Sequence, residues 1–442
     1  MSSSSDSLTF AGEVVNRTNL DNGLTVLARE LHASPVVTTM IWYRVGSRNE
    51  ESGQTGKSHF LEHMLFKGTD RFKKGQIDHL TLKNGGSNNA FTSHDFTAYY
   101  FSFASDRWEI ALDIEADRMM NCVFAPEEFE AEKKVVIEEL RMGLDSPWGV
   151  LHQEVDATAY KVHPYRNPVI GWLQDVERAT EREQQAYYQK FYHPGNAIVV
   201  VTGDFSASKV LDGIHQRFSA LPARAPAPAI TAIEPVQRGE KRIEIQWRSK
   251  VPRLAIAYHA PAIAHPDSYA LQVLNLILTE GKTSRLYQRL VEREQSVTFV
   301  SAEYSESKDP TLFHIRAEAR GSHTAEQIER GIYDELEHIV SEGVTPQELN
   351  RAKHLVQAHF ILSRERTVDQ AMLLGQVESL HGISYIDTYL SRTFAVNADD
   401  VSSVCSRYLT ASNRTVGRLI PDGSGEAGED YLSEEDPGEV DA

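Results

Sequence analysis

A proline-rich stretch at residues 222–235 divides the 442-residue chain into two parts of similar length. It carries four prolines among mostly small residues, a composition typical of an extended, semi-rigid connector. We therefore predict two domains, at residues 1–221 and 236–420, joined by this connector. The length agrees, since domains usually span about 100–200 residues.

Similar endings of the two parts indicate an internal duplication. Each part closes with a helical stretch, a short turn that contains Asn196 or Asn413, and an apolar strand. Strand patterns such as residues 36–45 and helical patterns such as residues 126–143 are segregated along the chain rather than strictly alternating. This segregation predicts the α+β class.

Charge and cysteine content exclude several classes of protein. The formal net charge of −18 makes nucleic-acid binding a poor expectation, because phosphate backbones would be repelled. Nine of the acidic residues lie in a tail at residues 421–442, which has no basic residue and is predicted to be disordered. Two cysteines, Cys122 and Cys405, provide neither a disulfide framework nor a four-thiolate zinc site.

The segment His59-Phe-Leu-Glu62-His63 carries the strongest chemical signal in the sequence. On a helix, His59 and His63 lie one turn apart on one face, which is the arrangement in which two imidazoles bind one Zn²⁺. Glu62 lies on the same face, close enough to act as a general base. This order is the inverted zinc-peptidase motif H-x-x-E-H, and the alternative is a solvated helix face with two surface histidines.

A helix predicted at residues 126–143 offers a third ligand. Glu132 and Glu139 are seven residues apart on one face of that helix. Val135, Val136 and Leu140 are expected to form its buried stripe, so both carboxylates should point partly inward. A buried carboxylate without a partner is costly, and a metal ion would account for both.

These residues resemble the pitrilysin, insulysin and mitochondrial-processing-peptidase family, specifically its bacterial half-length members. His59-x-x-Glu62-His63, followed 76 residues later by Glu139, is similar to the family's extended motif. The resemblance implies two homologous α/β-roll domains, each a mostly antiparallel sheet packed with helices, forming half of a clamshell chamber. It implies one Zn²⁺ per chain bound by His59, His63 and Glu139, with Glu62 as the general base and Glu132 as a supporting carboxylate.

A second matching segment, residues 85–93, corresponds to a strand that binds substrate in this family. The resemblance implies an exposed sheet edge that pairs with an extended peptide and supplies affinity without reading side chains. Asn89, Ala90 and Phe91 are the predicted substrate contacts. The alternative is a glycine turn that enters an ordinary strand.

One feature of active family members is missing from the second part of the chain. An Arg and a Tyr that hold the substrate are usual there, and the matching positions are Val291 and Thr298. We therefore expect a zinc endopeptidase that acts on unfolded peptides as the metal-bearing subunit of a heterodimer, with a paralogous subunit that supplies the pair. A homodimeric peptidase and a non-catalytic assembly subunit are the alternatives.

The sequence shows neither a membrane-spanning stretch nor a secretory signal, and both observations bear on where the protein is expected. No stretch reaches the length of about 18–20 apolar residues that a membrane span needs. No secretory signal is visible at the N-terminus, so a cytoplasmic location is expected, or the periplasm if a signal has been removed.

Overall fold

The computed structural model describes residues 5–10, 13–225 and 227–424. The strands are β1 Ser5–Phe10, β2 Glu13–Asn19, β3 Thr25–Glu30, β4 Val36–Tyr43, β5 Ser87–Thr92, β6 Thr97–Ala104, β7 Ala197–Gly203, β8 Lys241–Trp247, β9 Arg253–Ala260, β10 Val297–Tyr304, β11 Thr311–Ala319 and β12 Arg414–Pro421. The helices are α1 Lys57–Met64, α2 Gln76–Lys83, α3 Glu109–Asn121, α4 Pro126–Asp145, α5 Pro147–Ala159, α6 Leu173–Arg178, α7 Glu181–Phe191, α8 Ala207–Phe218, α9 Ser268–Thr279, α10 Ala325–Glu342, α11 Pro346–Leu362, α12 Thr367–Leu380, α13 Ser384–Ala395 and α14 Ala398–Tyr408. A π-helix spans Tyr287–Arg293, and short 3-10 helices span Ser47–Asn49, Pro164–Arg166, Pro194–Asn196 and Ala411–Asn413.

Two sheets of the same design confirm the predicted α+β class and the duplication. The first has the strand order β1-β2-β3-β7-β4-β6-β5, and the second has the order β10-β11-β9-β12-β8. Five strands of the first sheet, read as β5-β6-β4-β7-β3, match the whole second sheet position by position. In each sheet the last of these pairs, β7 with β3 or β12 with β8, is parallel, and the others are antiparallel.

The repeated asparagine turns make the same contact in both halves. The Asn196 side-chain amide donates to the carbonyl oxygen of Phe191 at 2.9 Å, and the Asn413 amide donates to that of Tyr408 at 2.7 Å. Each amide thus satisfies a carbonyl at the end of a helix just before a sheet strand begins. The similarity seen in sequence therefore reflects one local design used twice.

The chain folds into two compact units, and each unit contains a helix from the other half of the sequence. Unit 1 comprises the described residues within 1–140, 167–232 and 361–388, and unit 2 those within 141–166, 233–360 and 389–442. Helix α5 thus belongs to unit 2 although it precedes the connector, and α12 belongs to unit 1 although it follows it. The bounds 1–221 and 236–420 stay a prediction of where the duplicated halves divide.

Helix α5 packs closely on the sheet of unit 2. Its apolar stripe of Trp148, Leu151, Val155 and Ala159 is buried in one core cluster with residues of β9, β11 and β12. Gly417 of β12 allows this approach, because a Cβ atom there would lie 2.3 Å from a methyl carbon of Val155.

Helix α12 packs in the same way on β4 and β7 of unit 1. A Cβ atom at Gly375 would lie 2.1 Å from the Trp42 indole nitrogen. Thr367 begins the helix and is hydrogen bonded to the Thr38 and Thr202 hydroxyls at 2.8 and 2.7 Å. The exchanged helix is therefore part of the core of unit 1.

Three predictions concern the connector, the tail and the membrane. The described connector residues, 222–225 and 227–235, form neither helix nor strand. Of the tail predicted at 421–442, residues 425–442 lie outside the described residues. Among the helices of the described ranges, none combines the length and apolar character needed to cross a bilayer.

Candidate metal centre

The start of α1 is fixed by a glycine and a buried carboxylate. Gly56 has a φ of +84°, and a Cβ atom there would lie 2.5 Å from the carbonyl oxygen of Ile170, so the position needs glycine. The two carboxylate oxygens of Glu50 accept from the backbone N–H groups of Gly56 and Ser58, each at 2.7 Å. This cap satisfies the first N–H groups of the helix. Phe60, Leu61 and Met64 bury the opposite face, which directs the polar residues to one side.

Helices α1 and α4 bring His59, His63 and Glu139 together. The Nε2 atoms of His59 and His63 lie 3.6 and 3.5 Å from the two carboxylate oxygens of Glu139. The imidazole ring centroids are 4.7 Å apart. The imidazoles are 14% and 21% exposed, whereas the Glu139 carboxylate is 49% exposed. The set is therefore enclosed on the histidine side and open to solvent on the Glu139 side.

These three side chains fit a divalent metal ion. Their separations are too long for good hydrogen bonds, but they match the spacing of about 3.3 Å expected between ligand atoms that each lie about 2.0 Å from a tetrahedral ion. The buried Nδ1 of His59 has no hydrogen-bond partner among the described residues. Burial, with the nearby His63, lowers the pKa of His59 to about 3, so the ring is in the neutral form that binds metals.

Glu132 lies behind His63 and orients its ring. The Glu132 carboxylate, 9% exposed, is 2.9 Å from Nδ1 of His63 and forms an ion pair with Lys67. Although burial raises the pKa of Glu132, the hydrogen bonds to His63 and Lys67 lower it overall. An Nδ1–H that donates to this carboxylate leaves the Nε2 lone pair facing Glu139, as metal-binding histidines require. Lys67 was not predicted from the sequence.

One expectation about α4 was wrong. Phe129, Glu132, Val136 and Leu140 form the buried face of the helix, whereas Val135 is 50% exposed. Successive buried residues of α4 are three or four positions apart, so Val135 falls outside the buried face. Glu132 is therefore more buried than expected and Glu139 more exposed.

Glu62 faces the end of strand β5. The Thr92 hydroxyl donates to a carboxylate oxygen of Glu62 at 2.5 Å. Burial raises the pKa of the Glu62 carboxyl above its usual value, which favours a role as a proton acceptor near neutral pH. Thr92 is a further residue that sequence reasoning missed, because nothing in its local pattern links it to α1.

Strand β5 is the outer strand of the sheet of unit 1, paired on one side with β6. Within it, the Ala90 backbone N–H donates to the side-chain oxygen of Asn89 at 2.8 Å, so this donor is served locally. The ring of Phe91 packs edge-on against Trp42 and Phe96, with centroids 5.3 and 6.2 Å away. Of the three predicted substrate contacts, Phe91 thus has its side chain in an aromatic cluster.

Comparison with known proteins identifies the family of this chain. Residues 25–172 match the family described as "Insulinase (Peptidase family M16)", and residues 179–356 match the "Peptidase M16 inactive domain". The zinc protease PqqE of Helicobacter pylori is 30% identical over 415 residues, which cover 91% of this chain and 92% of that protein. The chain belongs to peptidase family M16. His59, Glu62, His63 and Glu139 all lie in the part that matches the first M16 description.

Solved structures of similar proteins share the fold of this chain. A crystal structure of a protease from Helicobacter pylori has a TM-score of 0.90 and 29% identity, and the match covers 92% of this chain and all of that one. The periplasmic protease PqqL of Escherichia coli shares the fold with a TM-score of 0.74 at 19% identity. That match covers 93% of this chain but 48% of PqqL, so this chain corresponds to about half of PqqL.

Proposed function

We propose that the protein is a zinc-dependent endopeptidase that hydrolyses unfolded peptides. The observation that carries this proposal is the convergence of two imidazole Nε2 atoms on one carboxylate, beside Glu62 and an outer strand. A zinc ion held there by His59, His63 and Glu139 would supply Lewis acidity that polarises a carbonyl and acidifies water.

Glu62 is the proton carrier of the proposed reaction. Its carboxylate takes a proton from the attacking water and later delivers that proton to the leaving amine. The hydrogen bond from Thr92 holds the carboxylate in place. Glu132 and Lys67 do not contact the substrate in this proposal. Glu132 orients the ring of His63, and Lys67 forms an ion pair with Glu132.

An extended peptide would bind along the outer strand β5. Pairing of this kind uses backbone hydrogen bonds and is tolerant of sequence, which suits unfolded substrates. The Ala90 N–H would exchange its bond to the Asn89 side chain for one to the peptide. Asn89 and Ala90 are therefore proposed as substrate contacts, with Phe91 contributing its backbone.

We propose that a paralogous subunit completes the active site. Val291 lies in the π-helix and Thr298 at the start of β10, where Thr298 donates to Glu318 at 2.9 Å. Neither side chain can bind a peptide carbonyl as an Arg or Tyr would. A heterodimer that encloses the peptide in a chamber would supply these groups. If no heterodimer forms, the alternatives are a homodimeric peptidase and a non-catalytic assembly subunit.

Metal removal and subunit mixing test the two parts of this proposal separately. Chelation should abolish hydrolysis of an unfolded peptide, and added Zn²⁺ should restore it; hydrolysis that persists without metal would contradict the zinc chemistry. Addition of the paralogous subunit should raise the rate strongly and give a heterodimer by native mass measurement. Full activity of the purified chain alone would contradict the heterodimer and leave the zinc chemistry intact.

A further inference from the structure

Unit 2 contains a second cluster of histidines and a carboxylate. His152 and Asp156 lie on α5, and His314 lies on β11, so all three belong to unit 2. One potential ligand atom from each residue lies within 4.8 Å of the others. Nothing in the proposed peptide hydrolysis uses these residues.

The cluster is built by an amphipathic helix lying on a sheet. Helix α5 buries Leu151 and Val155, and His152 and Asp156 follow each of them by one residue, one turn apart on a common flank. On β11, Leu312 packs in the same core cluster as α5, and His314 two residues later points to the same face of the strand. The fold therefore delivers two imidazoles and one carboxylate to a single point beside the core.

The imidazole nitrogens of this cluster lie slightly closer to their carboxylate than those of the metal centre of unit 1 do. Nε2 of His152 lies 3.1 Å from one carboxylate oxygen of Asp156, and Nε2 of His314 lies 3.4 Å from the other. The two imidazole rings are nearly parallel, with centroids 4.9 Å apart. Both nitrogens thus face one carboxylate at the spacing of about 3.3 Å expected of ligands around a tetrahedral ion.

Burial and charge favour a cation at this point. The side chains of His314 and Asp156 are 8% and 19% exposed, while that of His152 is 43% exposed and leaves a route from solvent. The buried Nδ1 of His314 has no hydrogen-bond partner among the described residues. On the neighbouring strand, Glu303 pairs in register with His314 and forms an ion pair with Arg316 at 2.9 Å. With neutral histidines, the charges of Asp156, Glu303 and Arg316 sum to one negative charge.

We propose that His152, Asp156 and His314 form a second divalent metal site that fastens α5 to the sheet of unit 2. Two imidazoles and one carboxylate select zinc, or cobalt and nickel in its place, over magnesium and calcium, which prefer oxygen ligands. The helix that it fastens comes from the first part of the chain. The site therefore joins, within one unit, segments that lie far apart in sequence.

Zinc stoichiometry after removal of the first site tests this proposal. The full-length chain carrying both His59→Ala and His63→Ala is loaded with ZnCl₂ and desalted, and its zinc content is measured by mass spectrometry. We expect about one zinc per chain and a zinc-dependent rise in the thermal unfolding temperature. A further His152→Ala substitution should reduce both the zinc content and the thermal shift to near zero.

A matched control and the unmodified chain make the outcomes decisive. His338 is similarly exposed at 53%, lies in unit 2 and has Glu335 at 3.9 Å, so His338→Ala in the same background should retain the zinc. The unmodified chain should hold about two zinc ions and its His152→Ala variant about one. Zinc-free protein after His59→Ala and His63→Ala, or zinc unchanged by His152→Ala, would overturn the proposal and show a hydrogen-bonded cluster instead. Neither result by itself would contradict the metal centre of unit 1.

Discussion

The two sheets share one strand order but differ in the helices inserted between corresponding strands. In unit 1, α1 lies between β4 and β5 in the chain and carries His59, Glu62 and His63. In unit 2, α9 lies between β9 and β10, and its twelve residues include neither histidine nor glutamate and are mostly buried. The same architecture thus holds the proposed reactive helix in one copy and a packing helix in the other, so the proposed chemistry depends on the inserted residues rather than on the fold.

A second difference concerns the two histidine clusters. In unit 1 the proposed ligands come from α1 and α4, with Glu62 nearby and an outer strand in contact with α1. In unit 2 they come from α5 and β11, on the face of the sheet that α5 covers. In these proposals similar ligand sets serve different purposes, because only the set of unit 1 lies close to a proposed proton carrier and an outer strand.

Among the substitutions that distinguish the two units, His63→Ala should have the largest effect on zinc binding and peptide hydrolysis. Loss of one imidazole should remove the zinc of unit 1 and lower kcat/KM for an unfolded peptide by at least about 10³-fold, because positioning and Lewis acidity are lost together. Steady-state hydrolysis together with zinc analysis would measure both. His79→Ala, an exposed histidine of the same unit, is the control, and a hydrolytic rate that survives His63→Ala would contradict the assignment.

Each exchanged helix should contribute to the stability of the unit in which it packs. Gly375→Ala and Gly417→Ala each place a Cβ atom within 2.3 Å of a packed side chain, so each should lower the free energy of unfolding by about 2–3 kcal/mol. Gly375→Ala should be the worse of the two, because the Trp42 ring cannot move aside as a Val155 methyl group can. Denaturant unfolding would show this, with Gly143→Ala, where no atom lies within 4 Å, changing stability little. Equal stability of all three variants would refute the close packing.

The parallel strand pairs of the two units should respond differently to acid. Strand β7 is buried along its length and contains no ionisable residue, whereas Arg242 of β8 and Arg418 of β12 both bind Glu329 of α10. Although burial raises the pKa of Glu329, hydrogen bonds from these arginines lower it to about 2.

Because the folded-state pKa lies below the unfolded value of about 4.3, the stabilisation is present above about pH 4.3 and is lost as the pH falls to about 2. It amounts to about 2–3 kcal/mol. The hydrogen-exchange protection factors of amides in β8 and β12 should therefore fall over that range in the unmodified chain. In Glu329→Gln, the protection factors should be lower at neutral pH and should change less over the same range. Parallel curves for the two proteins would contradict this account.

Glu132→Gln should have the smallest effect of the series. The amide keeps the shape but binds His63 and Lys67 less strongly, so zinc affinity should fall about 10–100-fold without unfolding the chain. A competition titration against a zinc chelator measures this change. Glu130→Gln, an exposed position on the same helix, is the control, and equal affinity in the two variants would remove Glu132 from the metal centre.

The sequence predicted the fold class and most elements because their signals are local. The asparagine turns, the start of α4 at Pro126 and the alternating strand β4 all follow from patterns within about twenty residues. The spacing of His59 and His63 likewise predicted the face of α1 that they share.

Contacts between distant segments could not be predicted in this way. Exchange of α5 and α12 depends on tertiary packing, which no local pattern encodes. The bond from Thr92 to Glu62 joins two elements whose relation only the fold defines. Spacing could have drawn attention to His152 and Asp156, four residues apart on a helix, but His314 is more than 150 residues away and belongs to a strand.

Peptide hydrolysis by the Glu62→Gln variant, measured together with its zinc content, shows whether Glu62 is required for zinc-dependent hydrolysis. The substitution preserves size and the acceptor for Thr92 but removes the proton carrier. We predict that zinc content at the first site and the unfolding temperature stay unchanged while the rate of hydrolysis falls by about 10²–10⁴-fold. A variant that retains zinc and hydrolyses peptide at the unmodified rate would contradict the claim that this chain is a Glu62-dependent zinc peptidase.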